Sequence, residues 1–237
     1  MGIFPLVAFD LDDTLYPERE FVQSGFTAVA QHLADLGVID AESFFTTATS
    51  LFVTGARGNI FDLALERLAV VFPAARLSEL VRVYREHQPQ IRPFADSPNL
   101  LKLLKKKGVV LALISDGPGL TQQNKLRALG LEAYFDHLVF TGAHGEGWGK
   151  PSSRAFLKVM GRSDLRAAAC VYVADNPVKD FVGPNRLGWH TIRVREKIGL
   201  YYSENPPPGG EPDETIESFT ALRDRLLTPE RSRQYGK

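Results

Sequence analysis

The chain has 237 residues, 44% of them hydrophobic and 24% charged, a composition that suits one folded domain carrying a sizeable insertion. Its 28 Lys and Arg balance 28 Asp and Glu, so the basic excess with which proteins grip nucleic acid is absent and no nucleic-acid partner is expected. A single cysteine, Cys170, excludes an intramolecular disulfide and points to a reducing, cytoplasmic setting.

The chain opens MGIFPLVAFD, with no cationic region ahead of a short apolar stretch, so Leu6 to Phe9 reads as a buried strand and not as a signal peptide. From about Pro17 to Pro93 no buried strand follows, and the pattern is that of amphipathic helices. Phe26, Val29, Ala30 and Leu33 share one face, as do Phe61, Leu65 and Leu68. Gly37 and the segment from Gly55 to Gly58 mark helix ends or turns. An interval of this length is no ordinary connection, and residues 17–93 read as a helical cap inserted after the first strand. The core is then residues 1–16 and 94–227, with a frayed tail at 228–237.

Beyond the cap, helices at Ser97 to Lys107, Gly119 to Leu129 and Ser152 to Met160 alternate with apolar runs. The runs are Val109 to Ile114, His137 to Phe140, Cys170 to Ala174 and Thr191 to Val194. They are apolar on both faces, as strands of a parallel sheet covered by helices must be. The fold class is α/β, a doubly wound, Rossmann-like core. A Pro/Gly-rich loop, SENPPPGGEPDE, precedes a last helix near Ile216 to Leu227. No apolar run approaches the length of a membrane span, so no membrane partner is expected.

The chemistry sits where these strands end. The first finishes Phe9-Asp10-Leu11-Asp12-Asp13-Thr14, placing two carboxylates at the crevice where doubly wound sheets bind ligands. Such a pair needs a cation, a shared proton or separation into solvent. The second run ends Ser115-Asp116-Gly117, a hydroxyl and backbone N–H groups near a helix start, suited to an anion. Lys150 stands alone before a helix in Gly149-Lys150-Pro151-Ser152, and the fourth run ends Ala174-Asp175-Asn176, with Asp180 five residues beyond Asp175. Singly each fragment is ordinary, since an Asp after a strand is often just a helix cap. Four such groups at successive strand ends, in this order, are not.

The ordered set resembles the haloacid dehalogenase superfamily, and within it the phosphatases with a helical cap between the first two motifs. The resemblance implies Mg²⁺ as cofactor and a small phosphorylated metabolite as substrate. It implies Asp10 as the nucleophile that becomes an aspartyl-phosphate, and Asp12 as the general acid and base. Ser115 and Lys150 would bind the transferring phosphoryl group, with Asp116 beside them. Asp10, the Asp12 carbonyl and Asp175 would hold the metal, supported by Asn176 and Asp180. Ala174 departs from the Gly that relatives usually carry before that Asp.

Three other readings share parts of the pattern. A phosphomutase has all four motifs. A dehalogenase of this fold needs no metal and lacks the second aspartate. A receiver-type signalling module carries its phosphoacceptor on a later strand, which would make Asp116 the rival acceptor. Arg57, in a Gly-flanked turn of the cap, is the candidate for reading the substrate. His144 and Trp148 border Lys150 in sequence, with loop packing as their alternative. Sugar phosphates, sialic-acid-type phosphates and nucleoside monophosphates all remain open as substrates.

Overall fold

The structure is a computed structural model and describes residues 4–227; the expected frayed tail lies outside the described residues. The chain divides into two compact units, one of Met1–Glu18 with Arg92–Lys237 and the other of Arg19–Ile91.

The first unit is an α/β sheet domain. Its strands are β1 (Leu6–Phe9), β2 (Val110–Ser115), β3 (His137–Phe140), β4 (Cys170–Ala174), β5 (His190–Val194) and β6 (Glu214–Ile216). They form one sheet in the order β3-β2-β1-β4-β5-β6, every pairing parallel. The first strand therefore lies at the centre, with Phe9 level with Leu113 on one side and Val173 on the other. That register brings the C-terminal ends of β1, β2 and β4 side by side.

β1 and β4 are buried along their whole length, which is why their sequences are apolar without alternation. Leu6, Ala8, Ala112, Ile114, Cys170, Tyr172 and Ala174 pack into one cluster with Phe156 and Val159 of the helix Arg154–Ser163. Cys170 is buried there, and burial pushes its thiol up to about 11, the behaviour of a core residue and not of a nucleophile.

The helices of the described residues are α1 (Glu18–Asp35), α2 (Ala41–Val53), α3 (Ile60–Arg67), α4 (Leu77–Glu86), α5 (Ser97–Lys106), α6 (Gly119–Ala128), α7 (Arg154–Ser163), α8 (Val182–Leu187) and α9 (Phe219–Leu227). The second unit contains no strand among its described residues. It holds its own core, in which Phe26, Val29, Ala30 and Leu33 of α1 meet Phe44 and Ala48 of α2, Leu65 of α3 and Leu80 of α4. The chain leaves and re-enters the sheet domain at a fixed point: Phe94 N–H and the Ser97 hydroxyl both donate to the Leu15 carbonyl, at 2.9 and 3.1 Å.

Two elements were invisible in the sequence. α8 contains Gly183, Pro184 and Asn185, all poor helix formers, yet Pro184 falls in the first turn, where its missing N–H costs nothing. β6 is only Glu214-Thr215-Ile216, an edge strand too short and too polar to register as an apolar run. Among the described residues no helix is long and apolar enough to cross a membrane.

Candidate active site

The central strand fixes Asp10. Its backbone N–H donates to Val173 O at 2.9 Å, so β4 holds the residue as the strand ends. Lys150, delivered by the loop before α7, has a completely buried side chain whose Nζ lies 2.8 Å from Asp10 Oδ1, 2.7 Å from Asp180 Oδ1 and 3.0 Å from the Tyr172 hydroxyl. Asp180 is fully buried, and its other oxygen accepts from Asn176 N–H at 3.0 Å. Asp175 Oδ1 accepts from the Thr14 hydroxyl at 3.3 Å. Asp10, Asp175, Asp180 and Lys150, separated by up to 170 residues of sequence, thus meet in one place.

Lys150 faces three buried carboxylates here, with the Lys179 charge acting on them from farther off. Asp10, Asp175 and Asp180 each offer an oxygen within 4.8 Å of the others. Burial raises Asp10, the adjacent Lys150 lowers it, and Asp180 raises it again, leaving it at about 6. Asp175 is driven well above the usual carboxylate range by burial and by the charges of Asp180 and Asp10. Burial alone would depress Lys150, but Asp10 and Asp180 outweigh it and keep the ammonium charged. Asp175 Oδ2 is buried without a hydrogen-bond partner, a costly state for a carboxylate oxygen. Hard oxygens in excess of the local positive charge, one of them unpartnered, fit Mg²⁺.

A measurable linkage follows. Asp10 has an ordinary value of 3.8 and a folded, metal-free value of about 6, so the folded protein holds a proton that the unfolded chain releases. Stability from that proton is full below about pH 4 and drains away as pH rises through about 6, with Asp175 acting in the same direction. Magnesium competes with those protons. The gap in melting temperature between Mg²⁺-treated and chelated protein should therefore widen from about pH 5 to about pH 8. A gap that is flat or narrows would contradict the site.

Asp12 faces different partners. Lys125 Nζ lies 2.7 Å from Asp12 Oδ1, which also accepts from the Tyr16 hydroxyl, while Gln122 Nε2 donates to Asp12 Oδ2 at 3.0 Å. Burial pushes Asp12 up, but Lys125, Tyr16 and Gln122 together hold it below its ordinary value. Ser115, the last residue of β2, accepts from the same Gln122 nitrogen at 2.6 Å. The carboxylate cluster accordingly contains Asp180 and not the Asp12 side chain.

Asp116 has a structural task. It accepts from the Thr141 hydroxyl at 2.8 Å and from Lys150 N–H at 3.1 Å, and it faces Lys179 Nζ at 3.4 Å. It thereby sets the loop that presents Lys150. The turn after it depends on glycine: Gly117 has φ +113°, and a Cβ on Gly142 would stand 2.2 Å from the Gly117 carbonyl oxygen. The Asn176 side-chain oxygen accepts from Val178 N–H at 3.0 Å, which shapes the turn between Asp175 and Asp180.

Arg57 donates to the carbonyls of Phe52 and Ala56 at 2.8 and 2.7 Å, and its guanidinium lies 4.1 Å from the Phe52 ring centre. Those contacts close the C-terminal end of α2. His144 and Trp148 lie with ring centres 4.5 Å apart and planes tilted by 34°, and Lys158 of α7 reaches both.

A family model for haloacid dehalogenase-like hydrolases matches residues 4–188, a span that holds every one of these strand-end residues. The chain belongs to the haloacid dehalogenase-like hydrolases. Within curated proteins, this hydrolase is 30% identical over 192 residues to a glyceraldehyde 3-phosphate phosphatase of Methanocaldococcus jannaschii, covering 79% of this chain and 83% of the relative. It is 31% identical over 234 residues to a ribulose-1,5-bisphosphate 5-phosphatase of Halopiger xanaduensis, covering 92% and 97%. Among solved structures, the HAD-hydrolase YfnB from Bacillus subtilis bound to magnesium superposes with a TM-score of 0.69 at 18% identity, covering 96% of this chain and 100% of that one. That last likeness speaks for the fold alone.

Sequence reasoning missed Lys125, Gln122, Tyr16 and Tyr172. Gln122 and Lys125 stand three apart, on one face of α6, in a helix whose other polar residues follow the same pattern, so the sequence carries no signal for them. Tyr172 read as ordinary strand filling in CVYVA.

Proposed function

We propose that this hydrolase cleaves a small sugar phosphate, using Mg²⁺ and an aspartyl-phosphate on Asp10. It is a hydrolase of phosphoric monoesters. The single observation that carries the reading is Lys150 Nζ, wholly buried and 2.8 Å from Asp10 Oδ1. A lysine spent there neutralises a carboxylate that must approach a dianionic group.

Asp10 Oδ attacks phosphorus and the bond to the leaving oxygen breaks; Asp12, ionised in the resting site, takes up a proton as the substrate binds and gives it to that oxygen. Water then attacks the phosphorus of the acyl phosphate, Asp12 takes the water's proton, and the Asp10 carboxylate returns as phosphate departs. Lys150 and the Ser115 hydroxyl meet the phosphoryl oxygens, over which the transition-state charge is spread. Asp10, Asp175 and the Asp12 carbonyl would hold Mg²⁺, with Asp180 and Asn176 supporting, and the ion would supply positive charge to those oxygens.

Sugar phosphates are favoured over sialic-acid-type phosphates and nucleoside monophosphates because the two relatives named above act, by their names, on phosphorylated sugars. The test is phosphate release from glyceraldehyde 3-phosphate, ribulose 1,5-bisphosphate, a sialic acid phosphate and a nucleoside monophosphate. Release should be greatest from the sugars, vanish in chelator and return with Mg²⁺, and Ca²⁺ should inhibit through its looser coordination shell. Full turnover in chelator would sink the proposal, and phosphate moved between hydroxyls without release would make the protein a mutase.

A further inference from the structure

Two side chains of α6 have no part in the reaction as written, yet both are buried at its centre. Gln122 is 2% exposed and Lys125 4%, although these residue types are seldom buried so completely. Gln122 offers one nitrogen with two hydrogens, and that nitrogen lies 3.0 Å from Asp12 Oδ2 and 2.6 Å from Ser115 Oγ. An ionised carboxylate can only accept, so Asp12 fixes which way the amide faces. The second hydrogen then goes to Ser115 Oγ. With its oxygen accepting from Gln122, the serine must direct its own hydrogen elsewhere.

Lys125 holds the other oxygen of Asp12 at 2.7 Å, together with the Tyr16 hydroxyl. Both carboxylate oxygens are thereby restrained, and Asp12 is left with one orientation. An ion pair removed from water contributes little net stability, so its worth here lies in orientation.

The geometry points to Gln122 and Lys125 as positioning residues, which hold Asp12 for proton transfer and turn the Ser115 hydroxyl toward the phosphoryl group. This deepens the proposed reaction and rests on Asp12 being its proton carrier. Neither residue touches the reacting atoms; each acts through its partner. Lys125 acts through Asp12, whereas Gln122 acts through Asp12 and through Ser115.

The experiment compares Lys125→Met, Lys125→Arg and Gln122→Leu in the wild-type and Asp12→Asn backgrounds, with Mg²⁺, on an aryl and an alkyl phosphate. Lys125→Met should lower kcat on the alkyl phosphate by about 10- to 100-fold, and on the aryl phosphate much less, since a good leaving group needs no proton. KM should stay close to wild type. Lys125→Arg should recover part of the rate. Gln122→Leu should show the same dependence on the leaving group and raise KM besides, because Ser115 is released. In the Asp12→Asn background, Lys125→Met should change the aryl rate by less than about twofold, since its partner is already gone.

Equal losses on both substrates, or the same loss with and without Asp12, would overturn the assignment and leave α6 as fold support. Should Lys125→Met melt below the assay temperature, Gln122→Leu decides by the same two criteria. Asp10→Asn serves as the separate control. If that variant still turns over, the nucleophile is wrong, and the failure lies with the proposed reaction and not with these two residues.

Discussion

Asp10→Asn should lower kcat by about 10⁴-fold or more and leave no phosphorylated protein after acid quenching. The amide has no anionic oxygen to offer phosphorus, while its size is unchanged and the sheet that holds it is untouched. Substrate affinity, followed by calorimetry with Mg²⁺ present, should persist, since Lys150 and Ser115 remain to bind the phosphoryl group. Rapid quench of the wild-type protein with labelled substrate should trap the acyl phosphate. Turnover by Asp10→Asn within tenfold of wild type, about 1.4 kcal/mol in barrier, would remove Asp10 as nucleophile.

Lys150→Met should abolish measurable turnover and also cost the metal-free protein about 3 to 5 kcal/mol of stability. The ammonium is buried between Asp10 and Asp180, and removing it strands two carboxylates away from water. Asp180 cannot relieve the strain by turning outward, because its second oxygen is tied to Asn176 N–H. Urea unfolding in chelator measures the loss, and a double variant with Asp180→Asn should restore part of the stability without restoring activity. A loss below about 1 kcal/mol would mean that the carboxylates find other partners, as exposed pairs do.

Much of this was legible in the sequence, and for a physical reason. A strand buried on both faces has no choice but to be apolar, so Leu6–Phe9 and Cys170–Ala174 announce themselves and end abruptly at Asp10 and Asp175. The polar residue that interrupts such a strand has been placed there by something other than packing. Lys150 was likewise conspicuous as a solitary cation beside a helix start.

What supports these groups was not legible. Gln122 and Lys125 sit in the helical text LTQQNKLRALG, where polar residues are the rule, and nothing local distinguishes the inward pair from its solvated neighbours. Tyr172 reads as part of an apolar strand, because a phenol hydroxyl declares itself only once its partner is in place. Asp116 and Asn176 carry contacts that their motif positions did not announce, Asp116 with the Thr141 hydroxyl and Lys150 N–H and Asn176 with Val178 N–H. Arg57 stood out as a cation among glycines, and its contacts within the helical unit are those of a helix end.

The paired anchorage of Phe94 and Ser97 on the Leu15 carbonyl bears on how such a protein can change over generations. The two ends of the helical unit are stapled together within the sheet domain, so the ends are already closed whatever lies between them. The entropy of joining ends grows only slowly with the length between them, about 0.6 kcal/mol for each doubling. Every motif residue that meets Asp10 lies in the sheet domain, and the helical unit carries a hydrophobic core of its own. Residues 19–91 could therefore lengthen or shorten at small entropic cost while the sheet domain keeps its motif residues.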